Sequence, residues 1–380
     1  VVAARPKVVG FSMYCSCMTT TQYLAKRIKE ELPGTTIICG GAHASRVMCG
    51  KVLAASPDID AVAQGEGEEV LLDIVERVIA GRDIRDCPGV IARRDGQVVD
   101  NGDRELIRDL DVLPYADFSD FDFSAYRDKC KLPIMSSRGC VNQCFFCNER
   151  PFWKRYRTLS AQRIFSEIAQ QIDRYPFITF VEFQDSLING NMRELEKLAD
   201  LIVAGGLKIT WSAQAVIRKE MTLELLKKLK ASGCLCLGYG LETVSQSVMF
   251  KAGKIVSRGA DVDRIIADGA AAGLRCTCNF MFGIPGETDE DARAGLDFLK
   301  RHKDHLGAVN PSPAFCSFSP GSLGYEPPQE YGLDFSKGVT YWETQDHSNT
   351  YLVRLRRFEA FCRLVQKLKS PTTYPSAVLM

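Results

Sequence analysis

The sequence predicts an α/β protein built from two parallel-sheet halves. A partial Rossmann-like sheet comes first, followed by a partial (β/α)6 TIM-like barrel and a small helical C-terminal tail. Three observations carry this. Short β-branched runs alternate with helical patterns through most of the 380 residues. The alternation breaks once, in an acidic, aromatic segment. It then resumes for six strand–helix units, two short of an eight-unit barrel.

The first half spans residues 1–103. "KVVGFSMYC" reads as a buried strand and "TTTQYLAKRIKEEL" as a helix capped by its threonines. "TTIICGG" is a second strand ending in Gly40 and Gly41, and "IDAVAQGEGEEVLLDIVERVIAG" a third strand, tight turn and helix. "GVIARRDGQVVDNG" is a hairpin turning at Asp95 and Gly96. Residues 104–130, including "DLDVLPYADFSDFDFSAY", lack periodicity and form the connector. The barrel spans residues 131–325, with strands in "LPIMSS", "ITFVEFQDS", "KITWSAQ", "LCLGYGLET", "RCTCNFMFGIPG" and "NPSPAFCSFSP". The extension, residues 326–380, carries a basic amphipathic helix, "YLVRLRRFEAFCRLVQKLK", expected to pack against the fold.

Hydrophobic content of 46% and charged content of 25% are those of a globular protein. A net charge of +1 argues against a general nucleic-acid or anionic-membrane surface. No apolar run has the length of a membrane span, and nothing at the N-terminus, which begins at Val1 rather than Met, reads as a signal peptide. Fifteen unevenly placed cysteines do not suit a secreted disulfide framework and point to a cytoplasmic protein that uses thiols for metal or redox work. Cys39, Cys234, Cys236 and Cys278 lie in apolar segments and read as small core residues.

Cys140, Cys144 and Cys147 are different. They crowd into "SSRGCVNQCFFCNER", directly after the first barrel strand, where barrel chemistry is placed. Thiolates this close can converge on one centre, and three protein ligands leave one metal position open, as catalytic centres require. A structural zinc with Cys130 or a distant cysteine as fourth ligand, or unliganded thiols, are the other readings. Phe145 and Phe146 beside them would shield a cluster from water.

The second half resembles the radical S-adenosylmethionine (SAM) enzymes, whose C-x3-C-x2-C loop is matched by Cys140, Cys144 and Cys147. The resemblance covers residues 131 to 325. It implies a 4Fe-4S cluster on those cysteines, with SAM bound near Gln184 and Asp185 of "FQDSLING", Ser212 and Arg218 of "WSAQAVIRKE", and Glu242 of "GYGLET". Gly283, Pro285 and Gly286 of "FMFGIPGET" match the stretch that lies beside the adenine, and "SPGS" resembles the turn after the sixth strand. It also implies reductive cleavage of SAM to a 5′-deoxyadenosyl radical, with electrons from an external flavodoxin or ferredoxin type donor.

In the first half, "GFSMYCSC", "GGAHAS" and "GEGEE" each follow a strand, at the sheet edge where open α/β folds bind ligands. Strand-to-helix turns also use Gly and Ser without a ligand. Beside the radical SAM half, these pieces resemble the cobalamin-binding domain of cobalamin-dependent radical SAM enzymes. The resemblance implies cobalamin contacts at Ser12, Gly40, Gly41, His43, Gly65, Glu66 and Gly67. Two departures stand: the family domain begins with another strand–helix–strand unit, and no D-x-H-x-x-G motif supplies a lower axial histidine.

The leading functional reading is a cobalamin-dependent methyltransferase acting on an inert carbon of a small molecule. The alternatives are cobalamin-dependent cyclisation or rearrangement, and a methylthiotransferase holding a second cluster on Cys15, Cys17, Cys39 and Cys49. The basic aromatic turn "NERPFWKRYR" either meets an anionic or aromatic substrate or is simply solvated.

Overall fold

The structure, a computed structural model, describes residues 1–41, 44, 46–254 and 259–372. The chain divides into two compact units. One is Val1–Arg108 with Pro151–Trp153 and Ser319–Glu326, the other Asp109–Arg150 with Lys154–Phe318 and Pro327–Met380.

In the first unit β1 (Val8–Ser12), α1 (Met18–Glu31), β2 (Thr36–Gly40), α2 (Arg46–Ala55), β3 (Ala61–Ala63) and α3 (Gly67–Ile79) alternate. β4 (Val90–Arg94) and β5 (Gln97–Asp100) complete the sheet. Strand order is β1-β2-β3-β4-β5, parallel as far as β3 and antiparallel beyond it. Successive residues of β2 point to opposite faces. Ile37 and Cys39 join Ala25 and Ile28 of α1 and Val52 and Leu53 of α2 in one core, while Ile38 joins Val70 and Ile74 of α3 in another. With both faces covered, the middle of β2, residues 37–39, is a continuous apolar run, as a buried parallel strand requires. Asp95 and Gly96, at φ 52° and 79°, make the two-residue hairpin turn. The threonines of α1 do not cap it. The helix begins ahead of them at Met18, its N-cap Cys17 makes no side-chain capping bond, and Thr21 is buried within it.

The second unit runs β6 (Lys131–Ile134), β7 (Ser137–Arg138), α4 (Glu149–Trp153), β8 (Arg157–Thr158), α5 (Ala161–Arg174) and β9 (Phe180–Phe183). It continues with α6 (Met192–Ala204), β10 (Thr210–Ala215), α7 (Leu223–Ala231), β11 (Cys234–Glu242), α8 (Gln246–Lys251) and α9 (Gly259–Ala271). Then come β12 (Arg275–Phe280), α10 (Asp289–His302) and β13 (Leu306–Pro311). The tail holds β14 (Leu333–Asp334), β15 (Glu343–Thr344) and α11 (Tyr351–Leu368). Strands β6-β9-β10-β11-β12-β13 stand in chain order and are all parallel, the arrangement of an unclosed β/α barrel. Side-chain hydroxyls or amides cap the helices: Ser160 for α5, Asn191 for α6, Thr222 for α7, and Thr288 with Asp291 in a capping box for α10.

The sixth strand differs from the expectation. It occupies "LGAVNP" and stops at Pro311, so only the start of "NPSPAFCSFSP" is strand; Pro313 has no N–H to continue the ladder. Helix α11 buries Phe358, Phe361, Cys362 and Val365, and Phe361 packs at a tilt against Phe280 of β12 with ring centroids 4.7 Å apart. Among the described residues no helix is long and apolar enough to cross a membrane.

Candidate metal centre

The cysteine loop follows β6, which ends at Ile134, and is held at its start and at its middle. At its start, Asp185 receives bonds from both serines that precede it. Ser136 donates through N (3.2 Å) and Oγ (2.9 Å), and Ser137 through N and Oγ (2.7 Å). Asp185 is only 4% exposed, and burial pushes its carboxyl up to about 6 against the pull of these donors. A carboxyl raised in the folded state stabilises the fold below its unfolded value near 3.8, and that contribution is lost as pH rises through about 6. Asp185→Asn is therefore expected to flatten the decline in unfolding free energy between about pH 4 and pH 6. The difference from wild type should be on the order of 2–3 kcal/mol, read from denaturant midpoints across that window.

At its middle, the loop hangs on the turn after α8. Gln143 N donates to Gly253 O (3.0 Å) and Phe145 N to Ala252 O (3.1 Å). Gly253 sits at φ 79°, and a Cβ there would lie 2.3 Å from the Gln143 carbonyl oxygen. Only glycine lets the two backbones approach this closely. Gly253→Ala is expected to cost at least ~1–2 kcal/mol from the left-handed backbone alone, and to reduce the iron retained after reconstitution, measured per chain. The pair Gly253 and Lys254 is invisible to sequence reasoning: a glycine after a helix reads as an ordinary C-terminal stop, and nothing local links it to a loop so far upstream in the chain.

The thiols are sheltered. Phe145 and Phe146 are buried, and Phe145 stacks on Tyr331 with centroids 5.2 Å apart. Burial pushes the Cys144 thiol up to about 12 and Cys147 to about 11 and raises Cys140, while the Lys254 ammonium pulls Cys140 and Cys144 the other way. Thiols raised in this way are poor free nucleophiles, and ligation to metal is what releases their protons. Among the described residues no three His, Cys, Asp or Glu side chains meet at one point as a single ion requires. Cys130, the proposed fourth zinc ligand, is exposed. Among the described residues, then, no four-ligand zinc site is assembled. A cubane asks for something else, since each of three irons takes its own thiolate and the sulfurs stand apart around the cluster. The loop fits that group.

Gln184, Asp185 and Ser212 line one cavity of about 570 Å³ on a face of the six-stranded sheet, together with Glu182, Gln214, Cys236, Thr277, Asn279 and Asn310. The apolar residues that alternate with these, such as Val181, Trp211, Leu237 and Cys278, are buried. Cys39, Cys234 and Cys278 are core residues as expected; Cys236 instead lines the cavity. Arg218 donates to the carbonyls of Asn189 (3.1 Å) and Gly190 (2.8 Å) and to Glu220 (3.0 Å). Glu242, at the end of β11, has φ 65°, an uncommon backbone for a non-glycine residue and one that favours a functional reading.

The glycine-rich stretch is clamped by the tail. Gly283 N donates to Glu287 (2.7 Å), Asn349 donates to Gly283 O (2.8 Å), and a Cβ on Gly283 would lie 2.2 Å from Cγ of Arg354. Arg354, fully buried, lies 4.0 Å from the Trp342 ring and donates to the Trp342 carbonyl (2.8 Å). Gly286, at φ 84°, packs against Lys251, and Pro285 lies between the two glycines. The role of Asn349, Arg354 and Arg357 was missed, because the tail helix read only as packing. Its arginines, at positions interleaved with apolar residues, are the signal to seek in such a sequence.

In the first unit, Ser12, Gly40 and Gly41 meet at the carboxyl ends of β1 and β2. A Cβ on Gly41 (φ 106°) would lie 3.3 Å from Ser12 Oγ, and Met13 N donates to Gly40 O (2.6 Å). Gly65 follows β3 at φ 72° with open space where a side chain would be, and Gly67 begins α3. Glu66 accepts from Ile107 N (2.9 Å). This small-residue edge offers backbone to a bulky ligand and fits a corrinoid. His43 lies outside the described residues. Of the cysteines considered for a second cluster, Cys39 and Cys49 are buried in the hydrophobic core and Cys17 bonds to the Tyr14 carbonyl; the Cys15 side chain is outside the described residues. In the basic turn, Lys154 and Arg155 are exposed while Arg157 is buried.

The fold and site resemble those of a radical SAM protein with a corrinoid-type partner domain. Residues 134–299 match the radical SAM superfamily and residues 1–75 the B12 binding domain. The chain carries both domains, the pairing found in cobalamin-dependent radical SAM enzymes, and they imply a 4Fe-4S cluster, SAM and cobalamin. It is 27% identical to an uncharacterized methyltransferase of Pyrococcus horikoshii over 301 residues, covering 78% of this chain and 64% of that protein. It is 26% identical to the anaerobic magnesium-protoporphyrin IX monomethyl ester cyclase of Rubrivivax gelatinosus over 309 residues, covering 76% of this chain and 53% of that one. The fold matches the radical SAM methyltransferase TsrM of Kitasatospora setae, solved with cobalamin and a [4Fe-4S] cluster bound, at a TM-score of 0.72 and 17% identity over 88% of this chain and 70% of that one. The chain thus spans between half and two thirds of the two sequence relatives.

Proposed function

We propose that the protein transfers a methyl group to an unactivated carbon of a small polar molecule, using cobalamin and SAM. The observation that carries the reading is the loop of three part-buried thiols after the first barrel strand, a set that would leave one iron of a cubane without a protein ligand. SAM at that open iron supplies the radical chemistry and cobalamin the methyl carrier. The residues of this chain do the rest. Asp185, Ala252 and Gly253 fix the loop, Phe145 and Phe146 exclude water, and Asn349 with Glu287 holds the backbone of Gly283.

The cavity supports a polar substrate. Gln184, Ser212, Gln214, Thr277, Asn279 and Asn310 present neutral hydrogen-bonding groups there, which a bare hydrocarbon would leave unpaired at a cost. Electrons come from a flavodoxin or ferredoxin type donor, and the free thiols suit a reducing cytoplasm. Cyclisation without methyl transfer is the second reading, favoured by the likeness to the cyclase.

Anaerobic reconstitution with iron, sulfide and hydroxocobalamin, followed by assay of 5′-deoxyadenosine and S-adenosylhomocysteine, separates the readings. Both products are expected. Deoxyadenosine alone would move the assignment to cyclisation or rearrangement, and neither product would overturn the enzyme reading.

A further inference from the structure

Lys254 is a buried cation for which neither SAM cleavage nor methyl transfer gives an evident use. It is 6% exposed and follows directly on Ala252 and Gly253, the two residues from which the cysteine loop hangs. Its ammonium donates to the Gly240 carbonyl and lies 3.4 Å from Glu242 Oε1. Gly240 makes room for this pair: a Cβ there would lie 2.9 Å from Glu242 Oε1 and 3.6 Å from Lys254 Nζ. Glu242 keeps a positive φ, and its carboxylate lies at the same spot. Burying an ammonium is costly, and a single carboxylate 3.4 Å away at the end of a strand compensates only part of the cost. The ammonium also lies within electrostatic reach of Cys140 and Cys144, the Glu242 carboxylate within reach of Cys144 and Cys147, and Glu149 within reach of Cys140 and Cys147.

We propose that Lys254 tunes the iron–sulfur centre, its buried positive charge favouring the reduced cluster, with Glu242 opposing it. The inference rests on the cluster reading above. Three thiolates bring three negative charges to a core of charge plus two, so the one electron delivered by a flavodoxin or ferredoxin type donor takes the centre from a net minus one to minus two. A fixed cation nearby stabilises the more negative state more, and the net charge around a cluster is one of the levers on its potential.

The test is an anaerobic, EPR-monitored redox titration of the reconstituted protein in the absence of SAM. Lys254→Gln is expected to lower the ratio of reduced to oxidised cluster at a fixed potential about tenfold, ~59 mV for a one-electron couple. Lys254→Arg should keep the wild-type value, and Glu242→Gln should move it upward. A merely structural role would not produce shifts of opposite sign. Unmoved potentials in both neutral variants, or shifts of the same sign, overturn the inference, as does a weakened SAM affinity of Lys254→Gln with its potential unchanged. If Lys254→Gln fails to hold a cluster, Glu242→Gln decides alone. Iron and sulfide are counted separately in the wild type: no cluster there sinks the underlying reading, whereas a normal cluster with unmoved potentials sinks this inference only.

Discussion

Cys144→Ala is expected to abolish the iron–sulfur chromophore and reduce SAM cleavage to background. The reason is arithmetic as much as geometry. Three thiols serve three irons, so losing one leaves two irons without protein ligands and only two anchors for the cube. Cys144 is also the cysteine whose neighbours on either side, Gln143 and Phe145, bond to the turn after α8, so it occupies the best-fixed point of the loop. The expected readout is a fall from ~4 irons per chain to a small fraction of that, with the secondary structure unchanged by circular dichroism. Retention of a full complement of iron would show that some other residue ligates the cluster.

The second large effect is expected at Arg357. Its guanidinium meets Glu287 (3.1 Å) and Asp289 (2.9 Å), and the Glu287 side chain is 3% exposed. Arg357→Leu strands Glu287, and breaking a buried pair on one side costs about 3–5 kcal/mol. Burial already pushes the Glu287 carboxyl up to about 7 despite the arginine. A carboxyl raised in this way favours the fold below its unfolded value near 4.5, and that contribution is lost as pH rises through about 7. Without Arg357 the deficit should therefore be larger at pH 8 than at pH 5.5, and adding Glu287→Gln should recover part of it. Denaturant unfolding at the two pH values checks both statements; a deficit below ~1 kcal/mol at pH 8 would show that the pair adds little. Because Glu287 also receives the Gly283 N–H, the same substitution should weaken whatever Gly283 holds.

What the sequence revealed and what it hid divide along a physical line. Strands such as "TTIICGG" were legible because parallel strands covered on both faces carry continuous apolar runs, and the Asp95-Gly96 turn because few dipeptides accept two positive φ values. The cysteine loop stood out because its three thiols are neighbours in sequence. The supports of that loop did not. Asp185 matched a motif thought to face SAM, yet its oxygens are taken by Ser136 and Ser137, far from it in sequence. Gly253 and Lys254 meet the loop only through folding, as Asn349 and Arg354 meet Gly283. Cys236 read as core because its segment is apolar; its alternate position on β11 turns it into the cavity instead. The extent of the sixth strand was misjudged because apolar residues continued past Pro313, where the missing N–H mattered more than hydropathy.

The most direct test asks whether SAM reaches the iron that the protein leaves bare. The dithionite-reduced, reconstituted protein is frozen with and without SAM and its EPR spectrum compared. The open-site account predicts a cluster signal whose g-values shift when SAM is added. A signal indifferent to saturating SAM, or protein that takes up one zinc in place of a cluster, would contradict it.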